Sequence, residues 1–584
     1  AGRTGLTKTA TILGTVAYMS PEQASGEATI DHRTDIWSLG VVLYKMLTGY
    51  PPFDAPSDAA LIHRIIYEQM KPVSSLRSDI PSGVEDIIQK MLRKDPQERY
   101  QDMQSLIADL QSAKTRMVAV ETKTSPSIAV LPFVDMSPAK DQEYFCDGIA
   151  EELINALTQI KDLRVIARTS AFSFKGEKAG VDEIGKRLKV QTVLEGSVRK
   201  AGNRLRITAQ LVDTKGGHHL WSERYDRELD DIFAIQDEIT LAIVDNLKPM
   251  LLGEERARIA KRQTIDLEAY NLFLQGRFFW NKQSGTAHKK AIEFFERAVQ
   301  KEPDYAQAWA GMADCYTQLP FYSFFPPKEA YRKAQQAALK ALKINDSLAE
   351  GHASLGFLKT NYERDWKNAE SEYKRAIELN PGYASTRYFY SWHLTFIGRY
   401  DEAIEQIQRA FELDPLSLVI NREIGGAYLY AGKHEQAIEA LKKTIAMDVS
   451  FPIVHYFLGL AYFFSSRFEE AAKEFEEELK YMGGFDPIRE GWAGQGFAFL
   501  GNLNKAREIQ DRLLDESKRG YVSPYLIGTI CFAIGDHDEG FMWLEKAYEE
   551  MDPYLGFLKP EKHFRAVGLD QRYIALLKKM GLEP

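Results

Sequence analysis

Residues 369–381 read Ala-Glu-Ser-Glu-Tyr-Lys-Arg-Ala-Ile-Glu-Leu-Asn-Pro, and residues 403–415 read Ala-Ile-Glu-Gln-Ile-Gln-Arg-Ala-Phe-Glu-Leu-Asp-Pro, 34 positions later. Ala437 and Ala471 continue the same spacing. A fixed period of this length indicates a stack of similar helix pairs, because a single pair cannot bury its own apolar face. The sequence therefore predicts an α-helical solenoid.

The periodic pattern extends over residues 268–554 and predicts about eight units, with residues 555–584 as a closing cap. Small residues recur where two helices of a pair pack closely, and glycines recur in the turn between them. These positions are Gly356, Gly425, Gly459, Gly494 and Gly528 for packing and Gly398, Gly432, Gly501 and Gly535 for the turns. The period, the small residues and aromatics such as Trp309 and Tyr373 resemble the tetratricopeptide repeat.

This resemblance implies a groove that binds a protein or peptide ligand, lined by the first helix of each pair. Six aromatic residues fall on or near that surface: Tyr388, Trp392, Phe396, Tyr430, Tyr456 and Phe463. The Lys and Asn pattern that clamps a terminal carboxylate is missing, so we expect an internal or apolar segment as ligand. Alternatively, these side chains only pack between helices. The apolar insertion of residues 320–327 is either a local staple or a contact patch.

A different pattern occupies residues 1–113. The stretch Gly14-Thr-Val-Ala-Tyr-Met-Ser-Pro-Glu-Gln23 is followed by Asp35-Ile-Trp-Ser-Leu-Gly40. Together they resemble the second half of a eukaryotic-type Ser/Thr protein kinase domain, as found in bacteria, from the end of the activation loop through the helices of the C-lobe. The resemblance implies a buried ion pair between Glu22 and Arg99 and structural roles for Asp35 and Trp37. We expect Asp35 to cap a helix that ends at Thr48.

The same resemblance assigns roles to threonines before this helix. Thr15 would lie beside the acceptor residue of the substrate. Thr9 and Thr11 are candidate phosphoacceptors of the activation loop, since a phosphate can order such a loop against an arginine. Threonine is also common in flexible loops, so the alternative is that none of them is modified.

The catalytic half of the kinase pattern does not occur in this sequence. A kinase needs a Gly-rich loop, a strand Lys, a helix Glu, a catalytic Asp and an Asp-Phe-Gly motif, and no residue here carries these roles. We therefore expect the C-terminal part of a longer Ser/Thr kinase, inactive alone, without a catalytic residue or a cofactor site. ATP and Mg²⁺ would serve the full-length protein. The alternative is a non-enzymatic scaffold or signalling adaptor with a degraded kinase remnant.

Residues 127–250 predict an α+β domain, which follows a polar linker of residues 114–126. Short buried strands, a helix capped by Asp147 and a hairpin are the expected elements. The segments Phe145-Cys-Asp-Gly148, Val193-Leu-Glu-Gly-Ser-Val-Arg199 and Leu220-Trp-Ser-Glu-Arg-Tyr-Asp226 resemble a TolB-like N-terminal module that accompanies tetratricopeptide arrays in bacterial proteins. We find no catalytic or metal-binding grouping in it.

Composition limits the remaining function classes. The chain has 584 residues and a formal net charge of −9, which gives no electrostatic reason to bind nucleic acid. Its three cysteines are far apart in sequence and show no metal or redox spacing. No apolar run approaches the roughly 20 residues that span a bilayer. We expect a cytoplasmic, multidomain and mainly α protein: part of a kinase domain, an α+β domain and a solenoid.

Overall fold

The computed structural model describes residues 16–26, 30–77, 82–110, 126–160, 162–228, 231–247, 265–323, 325–481, 484–561, 564 and 567–583. The chain forms two compact units, residues 1–125 and 126–584. The α+β domain and the helical array belong to the same unit, although the sequence suggested separate domains. No helix among the described residues is long and apolar enough to cross a membrane.

The first unit is helical in its described residues. Its elements are α1 (Pro21–Ser25), α2 (Arg33–Thr48), α3 (Asp58–Tyr67), α4 (Ser82–Met91) and α5 (residues 103–110), with 3₁₀ turns at Val16–Tyr18, Val73–Ser75 and Pro96–Glu98. Helix α2 begins at Arg33, and His32 occupies the N-cap position. Asp35 therefore lies in the first turn and does not cap the helix. Its negative charge is still favourable there, because it lies near the positive end of the helix dipole.

Helix α2 divides its apolar residues between a core and the surface. Trp37 and Val41 are fully buried against the other helices of the unit. On the opposite face Leu39, Val42 and Met46 are 36%, 39% and 75% exposed. A helix that is apolar on more than one face is typical of a protein interior, so this helix carries more apolar surface than the described part of the unit covers.

The second unit starts with a mixed β-sheet. Its strands are β1 (Ser127–Val130), β2 (Val134–Asp135), β3 (Arg164–Val165), β4 (Thr192–Ala201), β5 (Arg204–Asp213) and β6 (His219–Glu228). The order is β3-β1-β4-β5-β6, and β2 also pairs with β4. Strand β1 runs parallel to β3 and β4, whereas the β4–β5–β6 meander is antiparallel.

Four helices accompany this sheet: α6 (Glu143–Thr158), α7 (Arg168–Phe172), α8 (Val181–Leu188) and α9 (Ile232–Leu247). Helix α6 begins four residues before Asp147, so the predicted N-cap is wrong. Asp147 is instead buried, and both of its carboxylate oxygens accept hydrogen bonds from Lys175 at 2.7 and 2.8 Å. Its carboxylate therefore forms a charge pair with Lys175 in place of the predicted cap.

The described residues between 265 and 550 form eight consecutive helix pairs. These are α10–α11 (Leu267–Trp280, Gly285–Lys301), α12–α13 (Ala306–Gln318, Pro327–Ile344), α14–α15 (Ala349–Leu358, Trp366–Leu379), α16–α17 (Ala384–Phe396, Tyr400–Leu413), α18–α19 (Leu418–Tyr430, His434–Met447), α20–α21 (Val454–Phe464, Phe468–Lys480), α22–α23 (Pro487–Phe499, Leu503–Ser517) and α24–α25 (Pro524–Ile534, His537–Glu549). Shorter turns occur at Leu319–Tyr322 and Lys359–Glu363.

Small residues allow the close packing within each pair. A Cβ atom added to Gly425 would lie 2.4 Å from Leu441, and one added to Gly459 would lie 2.4 Å from Phe475. Between the helices of a pair, Gly398 and Gly432 adopt φ values of +88° and +77°, a conformation that glycine tolerates better than other residues. Glycine therefore recurs in the array for two reasons: it allows close packing of the two helices in a pair, and it permits a positive φ in the turn between them.

The α+β domain is docked on the array. The N–H of Ala167 donates to the carbonyl of Leu413 at 2.8 Å, next to the outer edge of β3. Ser170 donates through its backbone N–H to the buried carboxylate of Asp414 at 2.9 Å. On helix α6, Gly148 faces Leu274 so closely that a Cβ atom would lie 2.7 Å from it. Polar and apolar contacts thus join the two parts into one unit.

Residues after the last helix pair turn into the interior of the array. We call residues 552–561 the inner segment; it contains a 3₁₀ turn at Leu555–Leu558. Helix α26 (Gln571–Lys579) follows and packs on α25, where Lys579 pairs with Glu545 at 2.7 Å. Within the predicted cap of residues 555–584, the described residues up to 561 belong to the inner segment, and α26 packs on the last helix pair.

Candidate functional site

A buried ion pair organises the first unit. The Arg99 guanidinium donates to both carboxylate oxygens of Glu22 at 2.7 Å, and the two side chains are 0% and 5% exposed. Thr34 also donates to Glu22, at 2.8 Å. Burial opposes the charge on Glu22, but the hydrogen bonds from Arg99 and Thr34 outweigh it and lower the pKa to about 2. The pair fixes α1 to the chain segment around residue 99.

Trp37 lies directly beside this pair. Its ring stacks on Phe53 at a centroid distance of 5.9 Å, and the Arg99 guanidinium lies 4.9 Å from the ring centroid. Lys94 lies 5.1 Å from the same ring, and burial, together with the charge of Arg99, lowers the pKa of Lys94 to about 8. Trp37 therefore lies close to both Arg99 and Lys94, whereas Asp35 is exposed on the surface of α2.

The predicted phosphoacceptors Thr9 and Thr11 and the predicted substrate-side Thr15 lie outside the described residues. The described residues hold no grouping of three or more His, Cys, Asp or Glu side chains suited to a metal ion.

The six aromatic residues of the predicted groove lie in the interior of the array or near it. Phe396, Tyr430 and Tyr456 are buried, and Tyr388, Trp392 and Phe463 are partly buried. Tyr388 and Trp392 contact each other at 5.2 Å between ring centroids, and Tyr456 contacts Trp492 at 5.0 Å. Phe463 packs separately, on Phe468 and Phe499 at 5.5 Å.

The inner segment covers the aromatic surface. Phe557 lies 5.8 Å from Trp392, 4.9 Å from Phe396 and 5.5 Å from Tyr430 between ring centroids. Its ring is nearly parallel to that of Tyr430 and edge-on to that of Phe396, which are favourable aromatic geometries. These three groove residues therefore already have a binding partner, and it belongs to the same chain.

Phe321, from the insertion between α12 and α13, also reaches this interior. It lies 5.7 Å from Trp392 and 5.5 Å from Tyr554 of the inner segment between ring centroids. The insertion thus acts as a staple at this residue, one of the two alternatives that the sequence left open.

Two carboxylates fix the ends of the inner segment. Asp552 accepts hydrogen bonds from the Ser523 hydroxyl at 2.6 Å and from the N–H of Tyr525 at 3.2 Å, at the start of α24. Glu561 accepts from the Gln495 amide at 3.1 Å, and the Tyr456 hydroxyl donates to the same Gln495. Burial raises the pKa of Asp552 to about 6 and that of Glu561 to about 8.

Sequence reasoning did not identify the inner segment, although a signal was present. Val454–Phe464 reads Val-His-Tyr-Phe-Leu-Gly-Leu-Ala-Tyr-Phe-Phe, and Pro524–Ile534 is almost as apolar. Helices that are apolar on all faces need cover on all faces. First helices of this kind indicate that the inner surface is covered.

Three family models match separate parts of the chain. The model of the protein kinase domain matches residues 2–109. The second domain of the HilA/YgeH-like transcriptional regulators matches residues 123–242. The tetratricopeptide repeat matches residues 362–417 and 423–487. The chain thus carries a kinase-domain segment and tetratricopeptide repeats, while the TolB-like interpretation of the middle domain stays a prediction.

Curated relatives match shorter stretches. Putative adenylate cyclase 3 of Rhizobium meliloti (strain 1021) is 44% identical over 188 residues, which are 32% of this chain and 32% of that protein. Serine/threonine-protein kinase PknB of Mycolicibacterium smegmatis is 43% identical over 105 residues, 18% of this chain and 17% of that protein. The chain therefore spans about a third or less of the length of these relatives.

Among solved structures, the crystal structure of MamA is similar to part of this chain. It is 27% identical to this chain, with a TM-score of 0.24, and the match covers 26% of this chain and 90% of MamA.

Proposed function

We propose that this chain is the C-terminal part of a bacterial Ser/Thr protein kinase whose tetratricopeptide array recruits proteins. The bidentate pair of Glu22 and Arg99 carries this proposal, because it lies inside the segment that the kinase model matches. The pair anchors the chain directly after the predicted substrate-side Thr15. Residues 16–110 would then support the loop that presents a protein Ser or Thr to the catalytic residues.

The chemistry belongs to the longer protein in this proposal. ATP and Mg²⁺ supply the γ-phosphoryl group and its charge neutralisation in protein kinases. In this proposal the sequence of this chain contains none of the motifs that bind them, and we expect the chain alone to be inactive. Its own contribution is positional: the buried pair holds α1, and α2 offers the apolar face of Leu39, Val42 and Met46.

The rest of the chain would serve as a cytoplasmic signalling module for protein binding. The stretch shared with the putative adenylate cyclase is longer than the kinase segment, so it extends beyond that segment. Because the same stretch occurs in a protein named for a different enzyme activity, we interpret it as a regulatory unit that the two proteins share. We keep the TolB-like assignment of residues 127–250 within this proposal. Its ligand would be a protein or peptide.

Two experiments test this function. The genomic sequence upstream of the codon for Ala1 should encode, in frame, the Asp-Phe-Gly motif and a catalytic loop; a start codon there instead would support the non-enzymatic scaffold. In the longer protein, Arg99→Ala should abolish phosphorylation of a protein substrate, whereas Glu68→Gln, in an exposed pair with Arg64 at 3.7 Å, should leave it unchanged. Equal activity of both variants would contradict the proposal.

A further inference from the structure

The inner segment is built like a bound ligand. It carries two aromatic side chains, Tyr554 and Phe557, which enter a surface formed by first helices of several repeats. Gly556 between them approaches Phe396 so closely that a Cβ atom would lie 2.5 Å from its ring. Buried aromatic anchors flanked by fixed polar contacts are typical of the residues that dominate protein interfaces.

The surface continues past the segment. A small cavity lies beside Pro560 and Glu561 and is lined by Tyr430, Tyr456, Phe464 and Phe499. Two of these, Tyr430 and Tyr456, belong to the groove predicted from the sequence. The inner segment thus occupies the aromatic surface without filling it completely.

We propose that the inner segment is an internal ligand of the array, and that a partner binds by presenting a similar segment in its place. The partner segment would be internal to its chain, with two aromatic residues three positions apart and an acidic residue on each side, as in Asp552, Tyr554, Phe557 and Glu561. This inference rests on the proposed role of the array in protein binding. It adds the chemistry of the partner and the reason why the groove is closed.

Tethering explains why the closed form prevails. A segment joined to its own groove by a short connection has an effective concentration in the millimolar range, about a thousandfold above a free segment at micromolar concentration. A free partner of equal intrinsic affinity therefore binds only when the inner segment is displaced. Weakening the segment should open the groove, and weakening its neighbours outside the groove should not.

The test uses the full chain and a fluorescent peptide of residues 551–567 as probe. The chain itself should bind this peptide weakly at micromolar concentration. Phe557→Ala should bind it at least about tenfold more tightly, because the tethered competitor has lost its central anchor. Gly556→Leu provides a second route to the same release. Leu569→Ala is the matched control, since Leu569 is 93% exposed and lies between the inner segment and helix α26.

Adding Trp392→Ala to Phe557→Ala should remove the gained binding. The proposal is overturned if both released variants keep a cooperative thermal transition and bind no more peptide than the chain itself. It is also overturned if both lose that transition, because the segment is then part of the core. Binding of a partner on another face of the array would in either case leave the proposed scaffold function standing.

Discussion

Arg277 in the first helix of the array donates through Nε to the buried carboxylate of Glu151 in helix α6, at 2.7 Å. Asn281 donates to the other oxygen of Glu151 at 2.9 Å, and Arg168 lies 3.1 Å away. Burial opposes the charge on Glu151, but the charges of Arg277 and Arg168 keep its pKa below the ordinary value. The ion pair therefore joins the α+β domain to the helical array, although sequence patterns alone predict them as separate domains.

Removing Arg277 should weaken the docking of the α+β domain. Arg277→Ala leaves a buried carboxylate without its main partner, which costs about 3–5 kcal/mol. Urea unfolding should show this loss, and limited proteolysis should cut between the α+β domain and the array. Lys301→Ala, which breaks an exposed pair with Glu268, should change neither result; equal effects of the two variants would refute the docking role.

The pair of Glu22 and Arg99 should control the stability of the first unit. Arg99→Ala removes both hydrogen bonds and should lower the free energy of unfolding of this unit by about 3–5 kcal/mol. In differential scanning calorimetry, the thermal transition of the first unit should shift to lower temperature. Glu68→Gln in the exposed pair with Arg64 serves as the comparison and should cost about 1 kcal/mol or less. A stable Arg99→Ala variant would mean that the pair contributes little.

Because of Glu561, the second unit should become less stable as the pH rises from about 4.5 to about 8. Burial raises the pKa of Glu561 to about 8 from an ordinary value of 4.5. Between these values the folded chain holds a proton that the unfolded chain releases, so the free energy of unfolding falls as the pH rises. Each pH unit in this window contributes about 1.4 kcal/mol.

Glu561→Gln removes this dependence. Relative to the unchanged chain, the variant should therefore gain roughly 3 kcal/mol between pH 5 and pH 8, measured by urea unfolding at both values. Asp314, Asp414 and Asp552, whose pKa values burial raises to about 6, are present in both proteins and cancel in the difference. A difference that is independent of pH would show that Glu561 does not titrate in this range.

Replacement of Gly425 by a larger residue should destabilise the array. A larger residue there meets Leu441 at 2.4 Å, and overpacking of this kind costs about 1–3 kcal/mol. Gly425→Val should lower the melting temperature of the array. Gly484→Val is the control, because no atom lies within 4 Å of a Cβ placed at Gly484. If both variants melt alike, close packing is not the reason for glycine at this position.

The periodic parts of the fold could be predicted from sequence because their causes are local. The 34-residue spacing that places Ala403 and Ala437 in equivalent positions gives the helix pairs, and the strand pattern around Ala201-Gly202-Asn203 gives the hairpin of β4 and β5. In these elements the partners of each residue are a few positions or one repeat away.

Contacts between distant residues could not be predicted in the same way. Phe557 reaches Trp392 and Phe396 across more than four repeats, and no periodic signal connects these positions. Capping is a local signal and predicts helix starts at Asp35 and Asp147; Asp35 lies in the first turn of α2, whereas Asp147 lies four residues inside α6. The partner of Asp147 is Lys175, 28 residues later in the chain. The helix that carries Trp392 and Phe396 could therefore be predicted from the sequence, but not the packing of Phe557 on them.

The bond between Ala167 and Leu413 has a consequence for synthesis of the chain. Arg164 at the same sheet edge donates to the carbonyl of Glu412, 248 residues later. At translation rates of 5–20 residues per second, this interval lasts roughly 12 to 50 s. Throughout that time β3 presents an open edge on the ribosome, and open edges invite pairing with other nascent chains. We therefore expect this edge to need protection from other chains until the fourth helix pair has been synthesised.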